Sequence, residues 1–339
     1  MQVAPHARGY ARVQWTAISG MRAIEAARTM RREPLTRMTA YRSMPTIIAK
    51  RDDAATRRTA GNIAPLETLL AARHGRALKL PPALTRLYGQ LRQPRARHGP
   101  YVFSNFVSTL DGVVSLQQRG HDGGGDISGF SAADRMVMGL LRATADAVIV
   151  GSGTLAADPR HVWTPQDICP ELGDAYRVLR TALRKQAAPL NVIVSGSGRI
   201  DLRLPVFASG RVQTLVVTTA TGAKRLRAQS VPQTLDIHAI PRCRLTISPT
   251  AILEAVARQV PGTAMLIEGG PRLLGDFYAS RLLDEQFLTL APQVVGREAD
   301  DGRYSLVMGQ VFGPESARWG ALIDVRRGGN QLFLRYSFR

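Results

Sequence analysis

Cysteine is nearly absent from this 339-residue chain: Cys169 and Cys243 are the two present, and they form no CxxC pair. That excludes a disulfide framework and a thiolate zinc site, and it points to a reducing, cytosolic setting. No apolar run reaches the roughly 20 residues that a membrane-spanning helix needs. The N-terminus has no hydrophobic h-region, so no secretory signal is expected. Lysine is scarce, with only Lys50, Lys79, Lys185 and Lys224, so arginine supplies nearly all the positive charge.

What is present is enough for a folded protein. Apolar residues make up 45% of the chain and charged ones 21%, which rules out collagen, coiled coil and wholesale disorder. The length suggests one large domain with extras, or two domains. The net charge of +19 is unevenly spread, because residues 1–98 hold 19 Lys+Arg against 5 Asp+Glu. Residues 99–339 hold the remaining 26 against 21, a net of only +5.

Residues 1–60 have scattered arginines, few aliphatics and no sustained period of 3.6 or 2, the pattern of a disordered basic extension. An organellar transit peptide, a basic arm for nucleic acid and a tail without a role all fit that composition. Residues 61–98 read as a helical lead-in and linker. Pro65–Leu70 opens a short amphipathic helix with proline in its first turn, and Leu84, Leu87, Tyr88 and Leu91 form a second apolar run. Arg95 to Pro100 is a linker.

From residue 99 to 339 strands and helices alternate. Strands are expected at Tyr101–Val107, Ala147–Val150, Asn191–Val194, Thr214–Thr218, Ala264–Ile267 and Gln286–Leu290. Helices are expected at Ser131–Arg142 with Ser131 as N-cap, Tyr176–Arg184, Ile252–Gln259 and Leu273–Ser280. Gln331–Tyr336 is a last apolar segment. This order argues an α/β fold with a mostly parallel central sheet and helices on both faces. Ligands of such sheets bind beyond the carboxyl ends of the strands.

Three glycine-bearing motifs fall at such ends. Met265 to Gly275 runs from an aliphatic strand through Glu268, Gly269 and Gly270 into a helix, where free N–H groups suit a diphosphate. Val148 to Pro159 runs from a buried strand into Gly151-Ser152-Gly153-Thr154, with Thr154 a candidate donor and Asp158 a candidate acceptor. Asn105 to Gly112 ends in an Asp111-Gly112 turn, and Gly123-Gly124-Gly125 follows as a candidate mobile loop. Each alone reads equally well as an ordinary turn.

In order along the chain, Ser-Thr-Leu-Asp-Gly (108–112), Leu-Leu-Arg-Ala (140–143), Asp-Ala-Val-Ile-Val-Gly-Ser-Gly-Thr (146–154), Glu-Gly-Gly-Pro-Arg-Leu-Leu-Gly (268–275) and Leu-Leu-Asp-Glu-Gln-Phe-Leu-Thr-Leu-Ala-Pro-Gln-Val-Val-Gly (282–296) stand together. Taken together they resemble the riboflavin-biosynthesis pyrimidine reductases, the C-terminal half of the bifunctional deaminase-reductase. The resemblance covers residues 99–339. It implies a dihydrofolate-reductase-like three-layer sandwich, NADPH as cofactor and a homodimer. It also implies reduction of the ribosyl group of 5-amino-6-(5-phosphoribosylamino)uracil to ribityl, in the cytoplasm.

By the same resemblance Gly151, Gly153, Thr154, Asp158 and Gly196 contact the cofactor, and Gly269, Gly270, Pro271, Arg272, Leu273, Leu274 and Gly275 wrap its diphosphate. Glu268 and Arg142 contact the substrate, and Asp111 faces the same cleft. Many members read Asp-Asp-Pro-x-Leu followed by a substrate-binding arginine. Here Ala157-Asp158-Pro159-Arg160-His161-Val162-Trp163 has one acid and no arginine at that place, and Arg160 is the candidate substitute. The deaminase half's His-x-Glu and Pro-Cys-x-x-Cys motifs are missing from this sequence, which excludes deamination by it.

The implied chemistry is hydride delivery to an open-chain imine, with Glu268 and then Asp111 as the carboxylates that steady the developing cation or orient the pyrimidine. Ser195–Arg199 and Thr218–Arg225 are candidate 2′-phosphate contacts. His121, His161 and His238 lack metal-site spacing, so no metal is expected. Two other readings stay open: a related oxidoreductase acting on a pterin or another pyrimidine, and a nucleic-acid-binding protein that uses the basic N-terminus.

Overall fold

Aliphatic strands flanked by short helices organise the chain, and a computed structural model describes residues 63–94, 99–118, 120–121, 123–241, 246–262, 264–298 and 302–339. The expectations for residues 1–60, for the linker residues 95–98 and for Cys243 lie outside the described residues. In chain order the elements are β1 (Glu67–Ala71), β2 (Arg76–Ala77), α1 (Pro82–Tyr88), β3 (Arg92–Gln93), β4 (Tyr101–Ser108), β5 (Val113–Ser115), α2 (Gly124–Ser128), α3 (Ala132–Thr144) and β6 (Ala147–Gly151). There follow α4 (Ser152–Ala157), α5 (Pro165–Ile168), α6 (Gly173–Ala182), β7 (Leu190–Ser195), α7 (Pro205–Ala208), β8 (Thr214–Thr219), α8 (Ala220–Arg227) and β9 (Leu235–Ile240). The last are α9 (Pro249–Ala257), β10 (Ala264–Ile267), α10 (Pro271–Ala279), β11 (Glu285–Leu290), β12 (Tyr304–Ser305), β13 (Ala321–Gly328) and β14 (Gln331–Ser337).

Ten strands share one sheet in the order β1-β13-β14-β11-β4-β10-β6-β7-β8-β9. The seven strands from β11 to β9 run parallel, and β14, β13 and β1 add antiparallel strands at one edge. The mostly parallel α/β sandwich expected from the sequence is therefore present. Alternate side chains of each central strand enter different cores, as a pleated strand covered on both faces must. Phe103, Val148, Val150, Ile193, Val216 and Leu266 pack toward α1, α3 and α6. Val102, Ile149, Val192, Leu215, Val217, Met265 and Ile267 pack toward α9 and α10. No described helix is long and apolar enough to cross a membrane.

Two local expectations are corrected, the first at Gly123-Gly124-Gly125, read as a candidate mobile loop, where Gly123 caps and Gly124 and Gly125 open the helix α2. The segment read as a helix at Pro65–Leu70 is the edge strand β1, paired antiparallel with β13 from Glu67↔Arg327 to Ala71↔Asp324. The spacing of Leu66, Leu69 and Leu70 suits either period over so short a run. Pairing decides it, because β13 would otherwise leave a row of backbone groups unpaired. A register shift between Thr68 and Leu70 breaks the alternation that a strand would have shown in sequence. The second apolar run does form a helix, α1, which buries Leu84, Leu87 and Tyr88.

Candidate active site at the carboxyl ends of the strands

Because β4, β10, β6 and β7 are parallel neighbours, the loops that leave them open on one edge of the sheet. The glycine motifs leave from this edge. After β10, Gly270 is the N-cap of α10 and Pro271 occupies its first turn, where proline loses no hydrogen bond. No side chain caps this helix, so its first N–H groups have no side-chain acceptor. Leu273, Leu274 and Gly275 are buried along it, and Arg272 is exposed.

The loops after β6 and β10 interlock. Glu268 N donates to Ile149 O and Gly151 N to Gly269 O, both at 3.1 Å. A Cβ on Gly269 would stand 2.4 Å from Thr154 Oγ1, so only glycine allows this approach without a shift. The Gly269–Gly270 peptide is cis. Two motifs 115 residues apart, Thr154 and Gly269, thus form one cradle. Gly153 lies beside Thr154 in the first turn of α4, so the small-residue segment expected as a loop is a helix start, and no atom of another part of the chain stands within 4 Å of where its Cβ would be.

Beside the cradle Glu268 meets Arg142. The guanidinium donates to Glu268 Oε2 from Nε at 2.8 Å and approaches it with Nη2 at 2.7 Å. The two side chains are only 3% and 2% exposed. Arg142 also donates from Nη1 to Thr164 O at 3.1 Å, which ties the pair to the loop after α4. Glu268 Oε1 is buried without a hydrogen-bond partner in the protein, and a buried acceptor of this kind calls for a donor.

Asp134 is a group that sequence reasoning missed. It lies in the first turn of α3, where Ser131 Oγ accepts from Asp134 N at 3.3 Å. Its carboxyl is buried, and burial pushes it up to about 6, with the Glu268 charge adding to the rise and the Thr289 and Ser128 hydroxyls opposing it. The Ser-x-x-Asp spacing was visible as a capping signature, but nothing local showed that its carboxylate would be enclosed.

Asp111 follows β4 at the same edge of the sheet, where its own contacts hold it. Its Oδ1 accepts from Thr109 Oγ1 at 2.6 Å and its Oδ2 from Gly296 N at 2.7 Å, while Arg297 Nη2 donates to its carbonyl at 2.9 Å. The Thr109 hydrogen bond, chiefly, holds the carboxyl below its usual range. These contacts knit the turn after β4 to residues 295–297.

Asp158 and Arg160 are exposed at the end of α4. His161 Nδ1 sits 3.3 Å from Asp158 Oδ2, and its ring packs edge-on against Trp163 at 5.0 Å. His121 likewise meets Asp126, at 2.9 Å, so two of the three histidines that lack metal-site spacing each have a carboxylate beside them. No group of three or more His, Cys, Asp or Glu among the described residues is arranged to hold a metal ion. Gly196 O accepts from Thr219 Oγ1 at 2.8 Å and Ser195 O from Thr218 Oγ1 at 2.6 Å. The two candidate 2′-phosphate segments after β7 and β8 are therefore joined, the second of them as the start of α8.

A mostly parallel sheet with helices on both faces, glycine turns at its carboxyl edge and an antiparallel flank defines a dihydrofolate-reductase-like α/β protein. Comparison with known proteins narrows this. The family model of the RibD C-terminal domain matches residues 100–305. The chain belongs to that family. A 2,5-diamino-6-ribosylamino-4(3H)-pyrimidinone 5′-phosphate reductase from Archaeoglobus fulgidus is 27% identical over 198 residues, spanning 58% of this chain and 82% of that protein. The fold is shared with a pyrimidine reductase-like protein from Corynebacterium diphtheriae, at a TM-score of 0.53 and 19% identity over 71% of this chain and 92% of that one. It is also shared with a diaminohydroxyphosphoribosylaminopyrimidine deaminase/5-amino-6-(5-phosphoribosylamino)uracil reductase from Thermotoga maritima, at 0.52 and 16% over 71% and 57% respectively.

Proposed function

We propose that this protein is an NADPH-dependent reductase of riboflavin biosynthesis, acting on 5-amino-6-(5-phosphoribosylamino)uracil or its 2,5-diamino counterpart and converting the ribosyl group to ribityl. One observation carries the reading: the Gly269–Gly270 turn closes on Thr154 beside a buried carboxylate whose Oε1 lacks a donor. The close approach of two loops and the uncapped start of α10 suit the diphosphate of a dinucleotide. Family membership and the name of the archaeal relative support the substrate class.

The bound cofactor supplies hydride to C1′ of the open-chain imine. The first turn of α10 and the Gly269–Gly270 backbone would hold the diphosphate, and Thr154 and Asp158 would contact the cofactor. Arg142 fixes Glu268 through Oε2, so that Oε1 is left to accept from the pyrimidine or to face the cation that forms at the reacting carbon. The proton that completes the amine comes from water. Asp111 positions the loop after β4, and Arg160 is the candidate contact for the substrate phosphate. The active unit in this reading is a cytoplasmic homodimer.

The test is NADPH oxidation by the full chain, followed by absorbance, with the deaminated and undeaminated ribosylaminopyrimidine phosphates offered separately. Oxidation with one of them identifies the substrate. Oxidation with neither overturns the reading.

A further inference from the structure

Toward the amino ends of the parallel strands, away from the glycine turns, β1, β13, β14 and the segment after α1 enclose a cleft of about 360 Å³. Its lining includes Arg73, His74, Arg92, Asp324, Arg326 and Arg335. A cleft of this size falls in the range of small-molecule sites. It differs from most of them in being walled by four guanidinium groups and one carboxylate.

Two of the four are structural and fixed. Arg326 is 1% exposed and donates to Thr68 Oγ1, Tyr88 O, Gln90 O and Asp324 Oδ2, the last at 2.9 Å. Arg335 is 4% exposed and donates from Nε and Nη2 to Glu285 Oε2 at 2.9 and 2.6 Å. Asp324 and Glu285 thereby offset the two inner arginines. Arg73 and Arg92 make no ion pair with a described residue, and Arg92 is steadied by a 2.9 Å bond from Nη1 to Gly75 O. His74 also lines the cleft, its Nε2 3.4 Å from the buried Glu285 Oε1.

The cleft therefore has two positive charges in excess, set over a floor of buried and immobile guanidinium groups. Low-dielectric walls lined by one sign of charge concentrate the opposite sign. Guanidinium forks match the paired oxygens of phosphate, and a phosphate monoester carries about −1.5 to −2 at neutral pH, which balances the excess. We infer that this cleft is a second ligand site, which binds the phosphate group of a small molecule between Arg73 and Arg92, separate from the site at the carboxyl edge.

The test is calorimetric titration of the full chain with inorganic pyrophosphate at constant ionic strength, run beside Arg73→Ala/Arg92→Ala. The diphosphate cradle at the other edge is present in both chains, so the difference between them isolates the cleft. The wild-type chain should bind one equivalent that the double variant binds on the order of tenfold more weakly, or not at all. Arg73→Glu leaves the Arg92–Gly75 bond in place, and should abolish the same equivalent even if the double variant loosens the β2–β3 hairpin. Competition by glycerol 3-phosphate at lower concentration than inorganic phosphate assigns the site to an ester, and the reverse order assigns it to the free anion. Matching isotherms for the wild-type chain and both variants, with matching circular dichroism, would overturn the inference.

Discussion

The two ends of the sheet each bury an arginine–carboxylate pair, and they set it in different surroundings. At the carboxyl edge Arg142 holds one oxygen of Glu268 and leaves the other without a donor. At the amino end Arg335 and Tyr101 both converge on Glu285 Oε2, and Arg335 also lies over the Phe287 ring. The first arrangement leaves an acceptor to be filled from outside the chain. In the second, Oε1 faces the His74 ring, with Nε2 at 3.4 Å, and the pair braces β11 against β14. Burying a charge pair is weak evidence for stability in either place, and what separates the two is what stands beside the second oxygen: the glycine cradle at one end, the His74 ring at the other.

That contrast is sharpest if the two pairs are broken separately. Glu268→Gln should lower kcat by about 100-fold, and it should also lower stability by about 3–5 kcal/mol because Arg142 stays buried without its counter-charge. Arg335→Met should lose a similar about 3–5 kcal/mol, while turnover per folded molecule stays close to wild type. Steady-state rates on the fraction shown folded by circular dichroism, together with urea unfolding, measure both. A loss of turnover in Arg335→Met as large as in Glu268→Gln would erase the distinction between the two ends.

A smaller effect comes from Asp134, which shares the carboxyl edge with Glu268. Its carboxyl rises from an ordinary 3.8 to about 6, chiefly through burial. The folded chain therefore holds this proton more tightly than the unfolded chain does. The residue weakens the fold progressively as pH climbs from about 4 through about 6, and the penalty is complete above that. Asp134→Asn removes it, so the variant's stability relative to wild type should improve by up to about 3 kcal/mol between pH 4 and pH 7.5. Urea midpoints across that range measure the change. A difference that does not move with pH would show that the carboxyl is ionised throughout.

The carboxyl edge was legible in the sequence because of how parallel strands are built. Strands buried on both faces, such as Ala147–Gly151 and Ala264–Ile267, are short aliphatic runs, and each ends where glycine begins. Ser131 announced the start of α3. The pairings across that edge were not legible. Arg142 and Glu268 are 126 residues apart, and only the register of β10 beside β6 brings them together. The amino end was harder still. Nothing local marks Arg326 as a core residue, yet it is buried over the Tyr88 ring and pairs with Asp324. The edge strand β1 carried a spacing that suits a helix, and its partner lies more than 250 residues further along the chain. Local pattern reports the period of a segment, whereas tertiary pairing decides which of two permitted periods it adopts.

The central claim is that the turn after β10 and the first turn of α4 make one cradle for the reduced dinucleotide. Fluorescence titration with NADPH, on the wild-type chain and on Gly269→Ala, addresses it directly. The added Cβ would stand 2.4 Å from Thr154 Oγ1, and forcing the loops apart costs about 1–3 kcal/mol. The account predicts saturable binding by the wild-type chain and a Kd weaker by about tenfold or more in Gly269→Ala. Equal affinity in the two chains, or no saturable binding by the wild type, would contradict it.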